Sequence, residues 1–189
     1  MKDKPTRIVE ACAECVNISG FKKTSVQDIC EKAGVAKGLV YYYFKDKEEM
    51  MYQTYLYYVE KMKLYFSGDT SNIDDIFDMV SYSVRSKAKF FKDFPPAWKF
   101  MALSKESNNK KIREYNDTTS EDLLSKMWKQ IDTSKYKGAA DLNLILKMLG
   151  LIAESLISKI DKNTDINSLM KEYDSYLETF KKITYKEEQ

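Results

Sequence analysis

The side chains best suited to chemistry lie between Thr24 and Lys47. Lys37 and Lys47 supply ammonium groups. Tyr41 and Tyr42 supply phenolic hydroxyls, and Thr24-Ser25 supplies two alcohols beside a helix start. Together they can hold an anion, because helix-start N–H groups, hydroxyl protons and ammonium charge all attract phosphate oxygens. Catalytic sets are much poorer. The 189 residues contain no histidine, which removes Ser-His-Asp and Cys-His catalysis, HExxH zinc sites and the 2-His-carboxylate iron site. No G-x-G-x-x-G, P-loop or paired catalytic constellation occurs. Cys12 and Cys15 are helix neighbours at i, i+3, with no second pair to complete a zinc site. With Cys30 they are expected to pack apolar helix faces. The expectation is no catalytic residue, no metal, no cofactor and no enzyme.

The elements that position this segment are helices. Gly and Pro number only 6 and 3, and hydrophobic residues make up 43%. Ile8, Cys12, Cys15, Val16 and Ser19 recur at helical spacing, and Gly20 is the natural stop. Thr24 and Gln27 match a capping box, and Val26, Ile29, Cys30 and Ala33 form the stripe of a short helix ended by Gly34. Val35–Tyr43 has room for one more short helix. Asp46 then caps a long helix with Glu49 at its third position. Further helices are expected over 73–91, after Pro95-Pro96, and over 110–131, 139–160 and 165–185. No strand alternation and no repeat is present, so the expected fold is all-α with about nine helices.

Two short helices meeting at a tight turn with Gly34 have the helix-turn-helix layout, whose second helix enters a DNA major groove. Charge agrees: residues 1–47 carry a net +3 and the remainder −1. The detail goes further, through Ile8-Val9-Glu10-Ala11, Gly20-Phe21, Thr24-Ser25-Val26, Asp28-Ile29, Ala33-Gly34-Val35-Ala36-Lys37-Gly38, Val40-Tyr41, Tyr43-Phe44 and Lys47-Glu48-Glu49-Met50. This run resembles the N-terminal domain of the TetR (tetracycline-repressor) family of bacterial regulators over about the first quarter of the chain. The resemblance implies a three-helix DNA-binding domain over residues 1–47. A helical ligand-binding and dimerisation domain would follow over 48–189.

Each DNA-facing residue has a physical reason. Thr24 and Ser25 open a helix that can bind phosphate. Lys37 can reach guanine or phosphate, and Gly38 lets the backbone approach the groove. Tyr41 and Tyr42 can each give a hydroxyl to a phosphate. Lys47 sits in a first helical turn, where a cation opposes the helix dipole unless a phosphate docks there. In the resembling motif Leu39 faces the groove and Val40 the core, so Leu39 is expected to touch a thymine methyl. Ile8, Cys12, Phe21, Val26, Ile29, Val40 and Phe44 can close the small core.

The rest of the chain lacks comparable motifs. The 139–160 helix is apolar on two faces, Leu142/Ile145/Leu149/Ile152/Leu156 and Leu144/Met148/Leu151/Ser155. Both must be buried. Leu144, Met148 and Leu151, with Leu169, Tyr173 and Leu177 of the last helix, are expected to form half of an isologous dimer interface. Met79, Tyr82, Trp98, Met101, Tyr115, Met127 and Trp128 are expected to line a pocket, which the resemblance places among the middle helices. Such side chains also fill ordinary cores. The absence of a long apolar run, of an apolar stretch after Met1-Lys2-Asp3-Lys4-Pro5, and of a disulfide pattern predicts a cytoplasmic protein without a signal peptide. The family implies a homodimeric repressor of transcription on a palindromic double-stranded DNA operator, released by a largely apolar small-molecule effector. A helical carrier of apolar small molecules, without specific DNA binding, is the alternative. No membrane partner is expected.

Overall fold

The structure is a computed structural model. It describes residues 3–186, with every side chain among them except those at positions 105, 120–125, 127 and 139–141. Nine α-helices occur among the described residues: α1 (Lys4–Lys23), α2 (Val26–Ala33), α3 (Lys37–Tyr43), α4 (Lys47–Lys63), α5 (Ile76–Asp93), α6 (Pro95–Lys105), α7 (Lys110–Gln130), α8 (Ala139–Ile157) and α9 (Ile166–Thr184). Short 3-10 turns occupy Leu64–Phe66 and Thr133–Lys135. The all-α expectation is met. The described residues hold no strand, only an isolated antiparallel bridge between Tyr136 and Tyr185. Contacts divide the chain into two compact units, Met1–Leu64 with Phe94–Glu121 and Tyr65–Asp93 with Asp122–Gln189.

In the first unit, Asp3 caps α1 by accepting from the Thr6 N–H at 2.9 Å, and Pro5 fits the first turn. Ile8, Cys12 and Val16 are fully buried along one stripe, joined by Ile29, Cys30, Ala33, Val40 and Phe44 from the next elements. Burying each such large apolar side chain contributes about 1.5–3 kcal/mol. Gly20 interrupts α1 at φ 77°, ψ 165°, a conformation nearly closed to other residues, and one more turn follows to Lys23.

The expected Thr24/Gln27 capping box is displaced by one residue. Ser25 accepts from the Asp28 N–H at 3.1 Å, and Asp28 accepts from the Ser25 N–H at 2.8 Å. Thr24 instead ends α1: its N–H and hydroxyl both donate to the Gly20 carbonyl, at 3.1 and 2.8 Å. A buried threonine that closes one helix cannot also open the next.

α4 starts as expected, with Asp46 accepting from the Glu49 N–H at 2.7 Å. Met50, Thr54, Tyr55 and Tyr58 of α4 are buried. α6 joins the same unit: Phe100 lies 5.4 Å from the Phe21 ring and 6.0 Å from Tyr58, and Asn17 donates to the Pro96 carbonyl at 2.8 Å. Phe21 and Val26 are half-buried, so Phe21 faces α6 and not the centre of the small core.

The second unit is built on α5, α8 and α9. Phe77, Ala88 and Phe90 meet Leu142, Leu149, Ile157, Met170, Tyr173 and Leu177 in its core. The buried Asp75 ties its ends together. Its carboxylate caps α5 through the Phe77 N–H at 2.9 Å and accepts the hydroxyl protons of Tyr136, at 3.0 Å, and Tyr185. The Lys137 N–H donates to the Thr184 carbonyl at 2.8 Å, and Lys186 to Lys135 at 3.0 Å, which pins the end of α9.

Candidate nucleic-acid interface

The turn between α2 and α3 is fixed from both sides. Gly34 ends α2 at φ 61°, ψ 48°, the left-handed conformation that glycine adopts without penalty. The Val35 N–H returns to the Cys30 carbonyl at 3.0 Å. From α1, the Arg7 guanidinium donates to the Ala33 carbonyl at 2.5 Å and to the Gly34 carbonyl at 3.4 Å. A cation at a helix C-terminus is favourable, and here it also holds the turn. Sequence reasoning missed Arg7, because nothing local marks a side chain that acts 26 residues away.

α3 then presents one buried and several exposed positions. Val40 is 2% exposed and anchors the helix, with the Phe44 N–H closing its end on the Val40 carbonyl at 2.9 Å. Lys37, Gly38, Tyr41, Tyr42 and Tyr43 are exposed, and Leu39 is half-buried. Tyr42 is the most open of the three tyrosines at 79%. The Lys37 ammonium lies 6.0 Å from the Tyr41 ring centroid. A Cβ built on Gly38 meets nothing within 4 Å, so the outer face of α3 is open there.

The remaining expected contacts are differently placed. Ser25 is exposed but occupied by its capping box; Thr24 is 1% exposed and bonded to Gly20. The Lys47 side chain is half-buried, and its ammonium donates to the Lys22 carbonyl at 3.4 Å. That carbonyl belongs to the last turn of α1, whose negative dipole end offsets the poor position of Lys47 in α4. The same ammonium lies close enough to help hold the Asp28 carboxyl below its ordinary range, after the larger hydrogen-bond effect of Ser25.

The cysteines are buried. Burial pushes the Cys12 thiol up to about 12 and raises Cys15 and Cys30. None is a ready nucleophile at neutral pH. Among the described residues, no group of three or more His, Cys, Asp or Glu is placed to hold a metal, and no helix is long and apolar enough to cross a membrane.

The residues expected around a ligand divide between the units. Trp98, Met101 and Tyr115 lie in the first; Met79, Tyr82 and Trp128 lie in the second. The Met127 side chain lies outside the described residues. Met101 is buried and the other five are half-buried. Tyr82 is engaged locally, accepting from the Gly68 N–H at 3.1 Å. An open cleft of about 540 Å³ in the first unit is lined by Tyr52, Lys111, Glu114, Tyr115, Thr118 and Thr119. It includes Tyr115 and is more polar than the expected set.

The two apolar faces of α8 have different fates. Leu142, Leu149 and Leu156 are buried in the second unit. Leu144, Met148 and Leu151 are 60%, 43% and 60% exposed. On α9, Tyr173 and Leu177 are taken into the unit's own core, with the Tyr173 hydroxyl donating to the Leu149 carbonyl at 3.3 Å. Leu169 is half-buried, and Tyr176 and Ile183 stand exposed beyond it.

A buried three-helix core, a glycine-closed turn and a short second helix offering its outer face make a helix-turn-helix domain. Residues 8–53 match the family model of bacterial regulatory proteins, tetR family. That match makes the N-terminal segment a domain of the tetR type. The chain is 34% identical over 61 residues to the HTH-type transcriptional regulator YuxN and 36% identical over 50 residues to the fatty acid metabolism regulator protein, both of Bacillus subtilis (strain 168). The matches cover 32% and 26% of this chain, and only 21% and 26% of those relatives. The crystal structure of the TetR family transcriptional regulator PfmR from Thermus thermophilus superposes with a TM-score of 0.70 at 20% identity, covering 94% of this chain and 97% of that one. That likeness is one of fold.

Proposed function

We propose that the protein is a sequence-specific, DNA-binding transcriptional regulator. It acts as a homodimeric repressor that a largely apolar small molecule releases from a palindromic operator. The observation that carries this reading is α3: Val40 and Phe44 anchor it while Lys37, Gly38, Tyr41 and Tyr42 face outward, as a helix entering a major groove requires. Residues 1–47 do the DNA binding, with Lys47 and Ser25 as phosphate contacts at the rim, and residues 48–189 carry ligand binding and dimerisation. Dimerisation uses the exposed stripe Leu144, Met148 and Leu151 with Leu169, Tyr176 and Ile183. An apolar stripe of this kind on a helix calls for a partner surface. A cytoplasmic location follows from this role.

The test is selection from a random duplex-DNA pool by the purified protein, followed by salt titration of the winners. Enrichment of a palindrome with half-sites about one helical turn apart supports a dimeric regulator. A folded protein that enriches no sequence at low salt refutes it.

A further inference from the structure

The seven-residue α3 has an outermost line that its sequence does not announce. At 3.6 residues per turn, Gly38 and Tyr42 both lie within about 20° of the direction opposite Val40. The exposures agree: Tyr42 is 79% exposed, and its flanking neighbours Tyr41 and Tyr43 are 48% and 41%. Gly38 lies one turn before Tyr42 on that line. Gly38 has no side chain, and a Cβ there would meet open space, so nothing screens Tyr42 on its N-terminal side. The Tyr42 ring rests edge-on against Tyr43 at 5.0 Å. The ring therefore stands clear of Gly38, on the outermost line of the helix.

The same helix lacks the usual base readers. Residues 37–43 contain no Arg, Asn, Gln, Asp or Glu, so the paired hydrogen bonds that identify adenine and cytosine are missing and only Lys37 can reach guanine. Lys37 is the sole cation of that segment, and it lies to one side over Tyr41. The major-groove feature left for an aromatic ring is the C5-methyl group of thymine.

We infer that Tyr42 is the main specificity-determining residue, and that it reads thymine methyl groups through its ring, so each half-site carries thymine where α3 crosses it. The inference rests on the regulator reading above. Leu39, half-buried on the flank of the same helix, has a supporting part.

The test uses the duplex enriched from the random pool, with each thymine replaced in turn by deoxyuridine, which removes only the methyl. One or two positions per half-site should weaken wild-type binding about fourfold each, the value of one buried methyl-sized group. Tyr42→Phe should keep that penalty, and Tyr42→Ala should abolish it without changing the salt slope. The inference is overturned by a flat deoxyuridine scan. A penalty lost in Tyr42→Phe, or lost in Leu39→Ala but kept in Tyr42→Ala, overturns it as well. So does a Tyr42→Ala variant that weakens methylated and deoxyuridine duplexes equally, the mark of a hydroxyl-to-phosphate contact. Binding with a flat scan removes this inference alone, whereas no binding to any duplex at low salt removes the regulator reading too.

Discussion

Replacing Gly34 by alanine should destabilise the first unit by about 2 kcal/mol, from two sources that can be separated. The backbone there stands at φ 61°, ψ 48°, where an L side chain costs about 1–2 kcal/mol. The new Cβ would also sit 3.0 Å from Arg7 Nη2, tighter than ordinary contact. Arg7 would have to shift while donating to the Ala33 and Gly34 carbonyls. A hydrogen bond from a charged group contributes about 1.5–3 kcal/mol, and partial disturbance of one adds about 1 kcal/mol. The assay is urea unfolding in a Trp128→Phe background, where Trp98 reports on the unit that contains Gly34. Wild type and Gly34→Ala should differ about thirtyfold in folding constant, since about 1.4 kcal/mol is tenfold. In an Arg7→Met background the crowding is relieved, and Gly34→Ala should cost only about 1 kcal/mol, a coupling of about 1 kcal/mol across the double-mutant cycle. A cost below about 0.5 kcal/mol for Gly34→Ala, or zero coupling to Arg7, refutes the account of this turn.

Gly38→Ala should have the opposite sign: it removes a helix glycine into open space and stabilises the fold by up to about 1 kcal/mol, yet it should weaken operator binding measured by fluorescence anisotropy. Lys47→Ala should lower affinity for all DNA sequences about equally and make the salt slope shallower by about 1; a loss confined to one sequence would contradict a phosphate contact. Burial raises the Asp75 carboxyl, but hydrogen bonds from Tyr185, Asp78, Tyr136 and Phe77 outweigh it and hold the group below its ordinary 3.8. Its stabilising effect is therefore present above pH 3.8 and lost as pH falls through the lower folded value. Asp75→Asn should flatten the acid limb of the second unit's unfolding, followed by Trp128 fluorescence in a Trp98→Phe background. Leu151→Glu should leave helicity intact and convert a dimer to monomers in sedimentation velocity, because a charge on the exposed stripe must be desolvated to dimerise; an unchanged sedimentation coefficient would count against that surface.

Much of the framework was legible because its causes are local. Helical periodicity, Asp46 three residues before Glu49, and a glycine at 34 act within one or two turns of chain, so nine helices and the turn between α2 and α3 could be read in order. The one-residue shift of the capping box shows the limit. Thr24 and Ser25 are both good caps, and Thr24 was already engaged at the end of α1 through Gly20, a competition that only the folded chain resolves.

The sequence by itself determined that the chain is helical, that residues 24–47 suit an anionic partner, and that the 139–160 helix carries two apolar faces needing cover. Tertiary structure decided which face is which. It buries Leu142, Leu149, Tyr173 and Leu177 in one core and leaves Leu144, Met148 and Leu151 outside; the spacing of residues separates the two faces of the 139–160 helix, but Tyr173 and Leu177, expected at the dimer interface, are drawn into the core. It also recruited Arg7 to the turn beside Gly34 and drew Tyr136 and Tyr185 onto Asp75, pairings of 27, 61 and 110 residues' separation. Periodicity reports what each residue prefers within its own helix. Which helix comes to meet it depends on how long-range packing shares a limited interior, and that is fixed only when the chain closes on itself.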